Sequence, residues 1–355
     1  MTEVAFDLEL LTELTETSGV PGYEDRIRKL VETEFEESVD RVRTDAMGNV
    51  VGTIEGNSDY SVAVAAHMDE IGFMVKHVAG DDDGFGFLQV DALGGWDARV
   101  LKAQRVTIHT EDGDIPGLIG SPPPHTLSEE ERSKTPEVDD VYIDTGLPKD
   151  ELEEQVAIGD LVTMDQDTEL VGETVTGKAL DDRICVFAML EAARRIENPA
   201  VTIHFCATVQ EEVGLRGAKA LGVDVDPDLA IALDVTVAND VPGFEAADHV
   251  TRLGEGTAIK LKDSSVITSP KVHRRLRALA EDEEIDYQLE VLPAGGTDTA
   301  GFQNTSGAKP VGAISIPTRY LHTVTETAHV DDVSATIDLL TAFLESETGD
   351  HDYTY

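Results

Sequence analysis

Apolar residues recur along the amino-terminal part of the chain first at helical spacing and then in strand-like runs. Residues 7–37 contain two stretches with helical spacing, separated by the Ser-Gly-Val-Pro-Gly break at 18–22. The run SVAVAAHMDEIGFMV at 61–75 predicts a buried strand that leads into a second strand. This region therefore begins with helices and continues into a sheet.

After residue 175 the pattern alternates between the two element types. It predicts helices at 181–196, 270–283 and 331–346, and strands at 201–209, 229–234, 286–292 and 311–316. Strands that alternate with helices are typical of a layered domain. We therefore predict an α/β fold in which helices cover both faces of a mixed sheet.

Between these regions, residues 70–164 contain short alternating runs such as RVTIHT, broken by Gly, Pro and acidic turns. This pattern of short alternating runs separated by turns predicts a β-rich insert. The domain organisation that follows is discontinuous, with one domain formed by 1–69 plus 165–346, the insert at 70–164 and a flexible tail at 347–355. Within the insert, the proline and charge runs at 120–134 predict an exposed loop.

Charge limits the possible partners. The 355 residues include 71 Asp plus Glu against 27 Lys plus Arg, a formal net charge of -44. Nucleic acids and anionic membranes would be repelled by such a surface. At about 1 M salt the Debye length falls to about 3 Å, so the same surface becomes tolerable, and we interpret the composition as halophilic, of haloarchaeal type. The hydrophobic content of 41% argues against disorder.

The start of the chain is acidic and lacks the basic, then apolar, pattern of a signal peptide. No apolar run approaches the ~20 residues that span a bilayer. A cytoplasmic location is the expectation.

Several polar side chains stand where apolar strands are predicted to end. They are His67, Glu211 with Glu212, Asp234 and His322. The carboxyl ends of strands are where open α/β sheets place their ligands. Asp181 and Asp182 open a predicted helix and point about 100° apart, so only one of them is expected to face the same place.

Two histidines and several carboxylates on rigid elements are the ligand set of a two-metal hydrolase, with Zn²⁺ or Co²⁺ as the ions. His67 and Asp234 would hold one ion, Glu212 and His322 the other, and Asp181 would bridge them. Each ion then has three protein ligands and an open position. Asp182 is expected to be a helix-start charge or a partner of Arg183 instead.

The remaining acids have separate expected roles. A hydroxide activated by the two ions is the expected nucleophile. Neighbours at a strand end point in different directions, which leaves Glu211 free to act as general base and acid beside the ligand Glu212. Asp69 lies on the same side of its strand as His67 and is expected to orient that imidazole.

A series of motifs resembles, in order, those of the tetrahedral (TET) aminopeptidases, also called deblocking or glutamyl aminopeptidases and sometimes labelled endoglucanases. The motifs are AAHMDEIGFMV, GGWDARVL, GSPPPHTLSEEERSK, YIDTG, GKALDDR, VQEEVGLRGA, ALDV, GGTDT and IPTRYLHT. The resemblance extends from about residue 18 to 340. It implies a metallopeptidase that removes N-terminal residues from short peptides, a barrel-like inserted domain used for assembly, and a twelve-subunit hollow tetrahedron.

The same resemblance implies that the metal ligands fall on five residues, His67, Asp181, Glu212, Asp234 and His322. It also implies that the catalytic acid falls on Glu211 and the supporting acid on Asp69. The wording after Asp298 and after His322 departs from the family pattern, which affects the expected substrate pocket. Gly295, Gly296 and Asp298 are candidates to border the substrate there, although a plain turn would have the same composition.

Three other functions remain open from the sequence. A deacylase or carboxypeptidase-like amidohydrolase would use the same dinuclear centre on another acyl substrate. An endoglucanase would need two metal-free carboxylates about a glycosidic bond. A non-catalytic halophilic scaffold would use the acids only to hold hydrated salt.

Overall fold

The computed structural model describes residues 5–354, which form a layered α/β domain and a closed β-barrel. The strands are, in chain order, β1 (Arg41–Thr44), β2 (Val50–Ile54), β3 (Ser61–His67), β4 (Gly72–Ala79), β5 (Phe85–Leu93), β6 (Arg105–Thr110), β7 (Gly113–Ile119), β8 (Tyr142–Pro148), β9 (Leu161–Met164), β10 (Glu169–Val171), β11 (Thr174–Gly177), β12 (Thr202–Thr208), β13 (Leu229–Val237), β14 (Thr257–Lys262), β15 (Tyr287–Val291), β16 (Val311–Arg319) and β17 (Glu326–His329). The helices are α1 (Leu8–Glu16), α2 (Asp25–Glu36), α3 (Ala98–Leu101), α4 (Glu129–Ser133), α5 (Lys149–Gln155), α6 (Leu180–Arg195), α7 (Arg216–Val225), α8 (Pro270–Asp282), α9 (Asp298–Gln303) and α10 (Val330–Ser346).

The sheet of the α/β domain is mixed, which confirms the predicted fold class. Its order is β1-β2-β12-β3-β13-β16-β17-β11-β10, with β14 paired to β16 and β15 paired to β14. The central strands β12, β3, β13 and β16 run parallel, and β2 and β17 flank them in the antiparallel sense. Parallel neighbours place their carboxyl ends at one edge of the sheet, and this edge carries the candidate site.

Strand β3 shows how the sequence builds three layers. Val62, Val64 and Ala66 face one side and join the core formed with α6, α8 and α10. The alternate residues Ala63 and Ala65 face the other side and pack with α7 and α9. This alternation is the period-two geometry of a strand buried on both faces. None of the helices in the described part of the chain is long and apolar enough to cross a membrane.

The second unit is a six-stranded barrel in the closed order β4-β5-β8-β7-β6-β9. All its pairings are antiparallel, and its interior forms an apolar cluster separate from the sheet's core. The barrel strands start at Gly72 and end at Met164, within the span of the predicted insert. The proline and charge segment at 120–134 lies mostly exposed and contains the short helix α4.

Some elements have no counterpart in the sequence analysis, namely β1, β2, α7, α9, β10, β11, β14 and β17, together with the short helices of the insert. The tail also differs from a frayed segment. Glu347 and Tyr353 are buried, and the Tyr353 hydroxyl donates to Glu347 Oε2 at 2.6 Å, because the ring packs into the main core. Residues 1–4 and 355, which belong to the predicted first segment and tail, lie outside the described residues.

Arg183 links helix α6 to the end of helix α1. Its side chain is fully buried in α6, and Nη1 donates to the carbonyls of Leu14 at 2.5 Å and Thr17 at 2.8 Å. Nη2 lies 4.0 Å from Glu70 Oε1. A buried guanidinium of this kind is stable only while its partners are present.

We expect Arg183→Met to destabilise the protein by roughly 3 kcal/mol, because it leaves buried carbonyls without their donor and Glu70 with one cation fewer. Thermal unfolding at matched salt and protein concentration measures the effect. The control is Arg195→Met in the same helix, where the arginine is exposed and pairs with Asp338, and where a change of about 0.5 kcal/mol or less is expected. Equal destabilisation by the two variants would contradict this account of Arg183.

Candidate metal centre

The predicted site residues converge at the carboxyl edge of the parallel strands. His67 ends β3, Glu211 and Glu212 follow β12, and His322 follows β16. Asp234 lies within β13, which continues three residues further than the predicted strand. Asp181 reaches the same place from the first turn of α6, where the backbone departs from helical geometry.

Asp181 lies between the two histidines. Its Oδ1 is 3.1 Å from His67 Nε2, and its Oδ2 is 3.5 Å from His322 Nε2. The same nitrogen of His322 lies 3.7 Å from Glu212 Oε1. One carboxylate that presents an oxygen to each of two imidazoles has the geometry of a bridging ligand.

Both imidazoles are oriented by backbone carbonyls. His67 Nδ1 donates to the carbonyl of Asp69 at 3.1 Å, and His322 Nδ1 donates to the carbonyl of Gly95 at 2.7 Å. Each ring therefore turns Nε2 toward the acids. With Nδ1 held by a carbonyl, as in metal sites generally, Nε2 is the nitrogen that a metal ion would bind.

Asp182 also belongs to this cluster, whereas the sequence favoured a helix-start charge or a partner of Arg183. It is fully buried, and its Oδ2 accepts the backbone N–H of His67 at 3.2 Å. Ligand atoms of His67, Asp182 and Asp234 lie within 4.8 Å of one another, as do those of His67, Asp181 and Glu212. Asp234 is thus grouped with His67 through Asp182, and the two sets, which share His67, each have the composition and spacing of metal ligands.

The carboxylate of Asp69 positions the two glutamates. Its Oδ1 and Oδ2 accept the backbone N–H groups of Glu211 at 3.0 Å and Glu212 at 3.1 Å. Its distance to His67 Nδ1 is longer, 3.6 Å. The predicted orientation of His67 therefore comes mainly from the carbonyl of Asp69, while its side chain fixes the Glu211–Glu212 turn.

Burial and close packing shift the pKa values of the acids in the cluster. Burial raises the pKa of Glu211 and of Asp234 well above their usual range, with the attraction of His67 opposing it in both. Burial and the charge of Asp181 raise the pKa of Glu212 to about 7. Burial also opposes ionisation of Asp181, but hydrogen bonds with His322 and His67 outweigh it and lower that pKa. Imidazole nitrogens beside buried carboxylates are suitable ligands for a divalent transition metal. The positive charge of such an ion would stabilise the ionised carboxylates, which burial otherwise disfavours.

A cavity of about 520 Å³ opens beside Asp181, Asp234 and His322. Gly295 and Gly296, the candidates to border the substrate, are among its lining residues. Asp298 does not lie among the lining residues, because its carboxylate turns inward and accepts the hydroxyl of Thr208.

Sequence reasoning missed three contributors to this region. Lys260 lines the cavity from β14, with its ammonium group paired to Glu290. Glu326 accepts two backbone N–H groups at the site, and Gly95 supplies the carbonyl for His322. The chain has 71 acidic residues, and nothing in the sequence around Glu326 distinguishes it from the others. The contact of Gly95 is made by its backbone carbonyl, which every residue has, so the sequence cannot reveal it.

Comparison with known proteins places this geometry among peptidases. A family model described as M42 glutamyl aminopeptidase matches residues 48–339. Lysyl aminopeptidase of Pyrococcus furiosus is 36% identical over 345 residues, 96% of this chain and 97% of the relative. The structure of aminopeptidase APDkam598 from Desulfurococcus kamchatkensis has a TM-score of 0.91 at 39% identity, covering 96% of this chain and 94% of that one. The Pyrococcus horikoshii TET1 peptidase, which can assemble into a tetrahedron or a large octahedral shell, has a TM-score of 0.85 at 33% identity, covering 96% and 99%.

We expect metal affinity to fall as the pH is lowered. Because the pKa of Glu212 is raised to about 7, its carboxylate carries a proton below that pH, and an ion must displace the proton to bind. The apparent Kd for Zn²⁺ should therefore rise by about tenfold for each pH unit below about 7, measured by chelator competition. Glu212→Gln removes one of the titrating carboxylates and should give a weaker affinity with a flatter pH dependence. An affinity of the native protein that is independent of pH would contradict the assignment.

Proposed function

Because the chain belongs to the M42 glutamyl aminopeptidase family, we propose that it is a metal-dependent aminopeptidase that removes N-terminal residues from short peptides. The observation that carries the proposal is the position of Asp181, which presents one oxygen to His67 and one to His322. Glu211 stands beside this group with its side chain 12% exposed. These residues supply the ligands and the acid–base group of a two-metal hydrolase.

Two divalent ions, Zn²⁺ or Co²⁺, would be held by the five predicted ligands. His67 and Asp234 would hold one, Glu212 and His322 the other, and Asp181 would bridge them. When bound, the ions supply an acidified water and polarise the scissile carbonyl. Asp182 is a further candidate for the ion at His67 and Asp234, since its carboxylate lies within ligand distance of both.

Glu211 would transfer a proton from the attacking water to the leaving amine. Its Oε2 is 4.0 Å from His67 Nε2, farther than Asp181 Oδ1 at 3.1 Å, so its carboxylate would be free to accept a proton instead of binding the ion at His67. Burial raises its pKa, so the side chain can take a proton from the attacking water and keep it until the leaving amine needs it. Asp69 fixes the position of Glu211 through the backbone N–H.

The cavity beside the centre would receive the first side chain of the peptide. Its walls include Gly295 and Gly296 on one side and Asp97 and Val100 of the barrel unit on the other. A twelve-subunit assembly built through the barrel would restrict entry to short, unfolded peptides. We propose a cytoplasmic location, in keeping with such substrates.

We expect Glu211→Gln to lower kcat by about 10³-fold, because general acid–base catalysis contributes on the order of 10² to 10⁴. Metal content should persist at about two ions per subunit, since Glu211 is not a ligand. The assay is hydrolysis of aminoacyl-p-nitroanilides in molar salt, with Glu345→Gln on the exposed face of α10 as the control.

Hydrolysis of N-acetylated substrates distinguishes the proposed aminopeptidase from a deacylase. An aminopeptidase cleaves only the free-amine form, whereas comparable cleavage of the acetylated form would indicate a deacylase. The absence of stoichiometric metal from the active preparation would refute the dinuclear mechanism.

We further propose that the acidic composition is a halophilic adaptation. With a net charge of -44, repulsion between surface carboxylates destabilises the folded protein at low ionic strength and is screened at high ionic strength. The melting temperature should rise by several degrees or more between about 0.1 M and about 3 M KCl. Sucrose at matched osmolality is the control, since it favours compact states without screening charge. Equal effects of KCl and sucrose would refute the screening explanation.

A further inference from the structure

Glu326 joins two separate segments of the metal centre. Its Oε1 accepts the backbone N–H of His322 at 2.8 Å, and its Oε2 accepts the backbone N–H of Asp181 at 3.0 Å. The residue is only 2% exposed. Both N–H groups belong to residues whose side chains face each other across the centre.

The fold explains how one carboxylate reaches both. Glu326 begins β17, which pairs with β11 on one side and β16 on the other. Asp181 follows the end of β11, and His322 follows the end of β16. Glu326 therefore lies between these two strand ends, and its backbone is paired with Gly177 of β11 in the sheet.

His322 depends on such a contact more than His67 does. His67 lies in a central strand and its side chain is 2% exposed, whereas the side chain of His322 is 39% exposed. The backbone of His322 also adopts a left-handed conformation with φ of 59°, as does Tyr320 with φ of 60°. A residue other than glycine keeps this backbone conformation only when the surrounding structure stabilises it.

We propose that Glu326 is a positioning residue that sets the separation of Asp181 and His322 and thereby the affinity for the ion they share. The inference rests on the proposed function, in which these two residues are metal ligands. Glu326 does for Asp181 and His322 what Asp69 does for Glu211 and Glu212, with one oxygen for each N–H. The carbonyl of Gly95 orients the His322 ring, and Glu326 places the backbone from which the ring extends.

The test is Glu326→Gln, studied as the full assembled protein. The amide has one acceptor oxygen in place of two, so one of the two N–H groups loses its partner. We expect the Zn²⁺ ion that Asp181 and His322 would share to bind about 10- to 100-fold less tightly, seen as a shift of one of the two steps in stepwise chelator competition. The loss of kcat at limiting Zn²⁺ should be largely recovered when Zn²⁺ is raised.

Glu347→Gln is the matched control, because Glu347 is also a buried acid that accepts a backbone N–H, from Gly349 at 2.8 Å. It lies at the end of α10 near Tyr60, at the opposite edge of the sheet. Both variants should lose some thermal stability, but only Glu326→Gln should change Zn²⁺ affinity. A merely structural role for Glu326 predicts the same behaviour for both.

A second pair of variants keeps the proposal testable if Glu326→Gln folds poorly. Glu326→Asp retains both oxygens on a shorter side chain and should show the same loss of Zn²⁺ affinity to a smaller extent. In a His322→Ala background, Glu326→Asp should add almost nothing to the loss, because the two residues act on one ion. Additive losses would overturn the proposal.

The failure of this inference can be distinguished from that of the proposed function. If the native protein binds two ions and both Glu326 variants bind them with native affinity, Glu326 is not a positioning residue and the proposed function stands. If the native protein binds no Zn²⁺, the proposed function fails and this inference fails with it.

Discussion

The crowding of buried carboxylates around His67 and His322 is the constraint on which the site depends. The acids that meet there are Asp69, Asp181, Asp182, Glu211, Glu212, Asp234, Asp298 and Glu326. Like charges removed from water repel strongly, and burial alone disfavours their ionised forms. The cluster is compatible with a folded protein only if protons, N–H groups or cations compensate its charge. The proposed dinuclear metal centre would provide that compensation and would make the same acids chemically useful.

The acids divide according to what they contact. Asp181 and Glu212 turn their oxygens toward imidazole nitrogens. Asp69, Asp182 and Glu326 accept backbone N–H groups from the segments that carry the proposed ligands, and of these three only Asp182 is also a candidate ligand. The second group fixes the spacing of the first, because each accepted N–H belongs to a residue with a functional side chain. Precision in the centre thus comes from acids that need not touch a metal ion.

The sequence predicts this arrangement as far as periodicity and strand ends can reveal it. The apolar runs of β3, β12, β13 and β16 are long enough to identify, and the polar residues after them converge because parallel strands share an edge. The motif GGTDT makes Asp298 a candidate to border the substrate, with a plain turn as the alternative, and nothing in the motif predicts that the carboxylate accepts the hydroxyl of Thr208. The roles of Asp182 and Glu326 depend on contacts across 115 and 145 residues of chain. Such contacts have no local signature.

His322 connects the two units of the protein. Its backbone is held by Glu326 in the α/β domain, while its ring donates to Gly95, which follows the barrel strand β5. The same barrel segment lines the cavity through Asp97 and Val100. A shift of the barrel would therefore alter the imidazole and the cavity wall together. An insert that would serve assembly in the proposed function would, through this one histidine, also contribute to the chemistry.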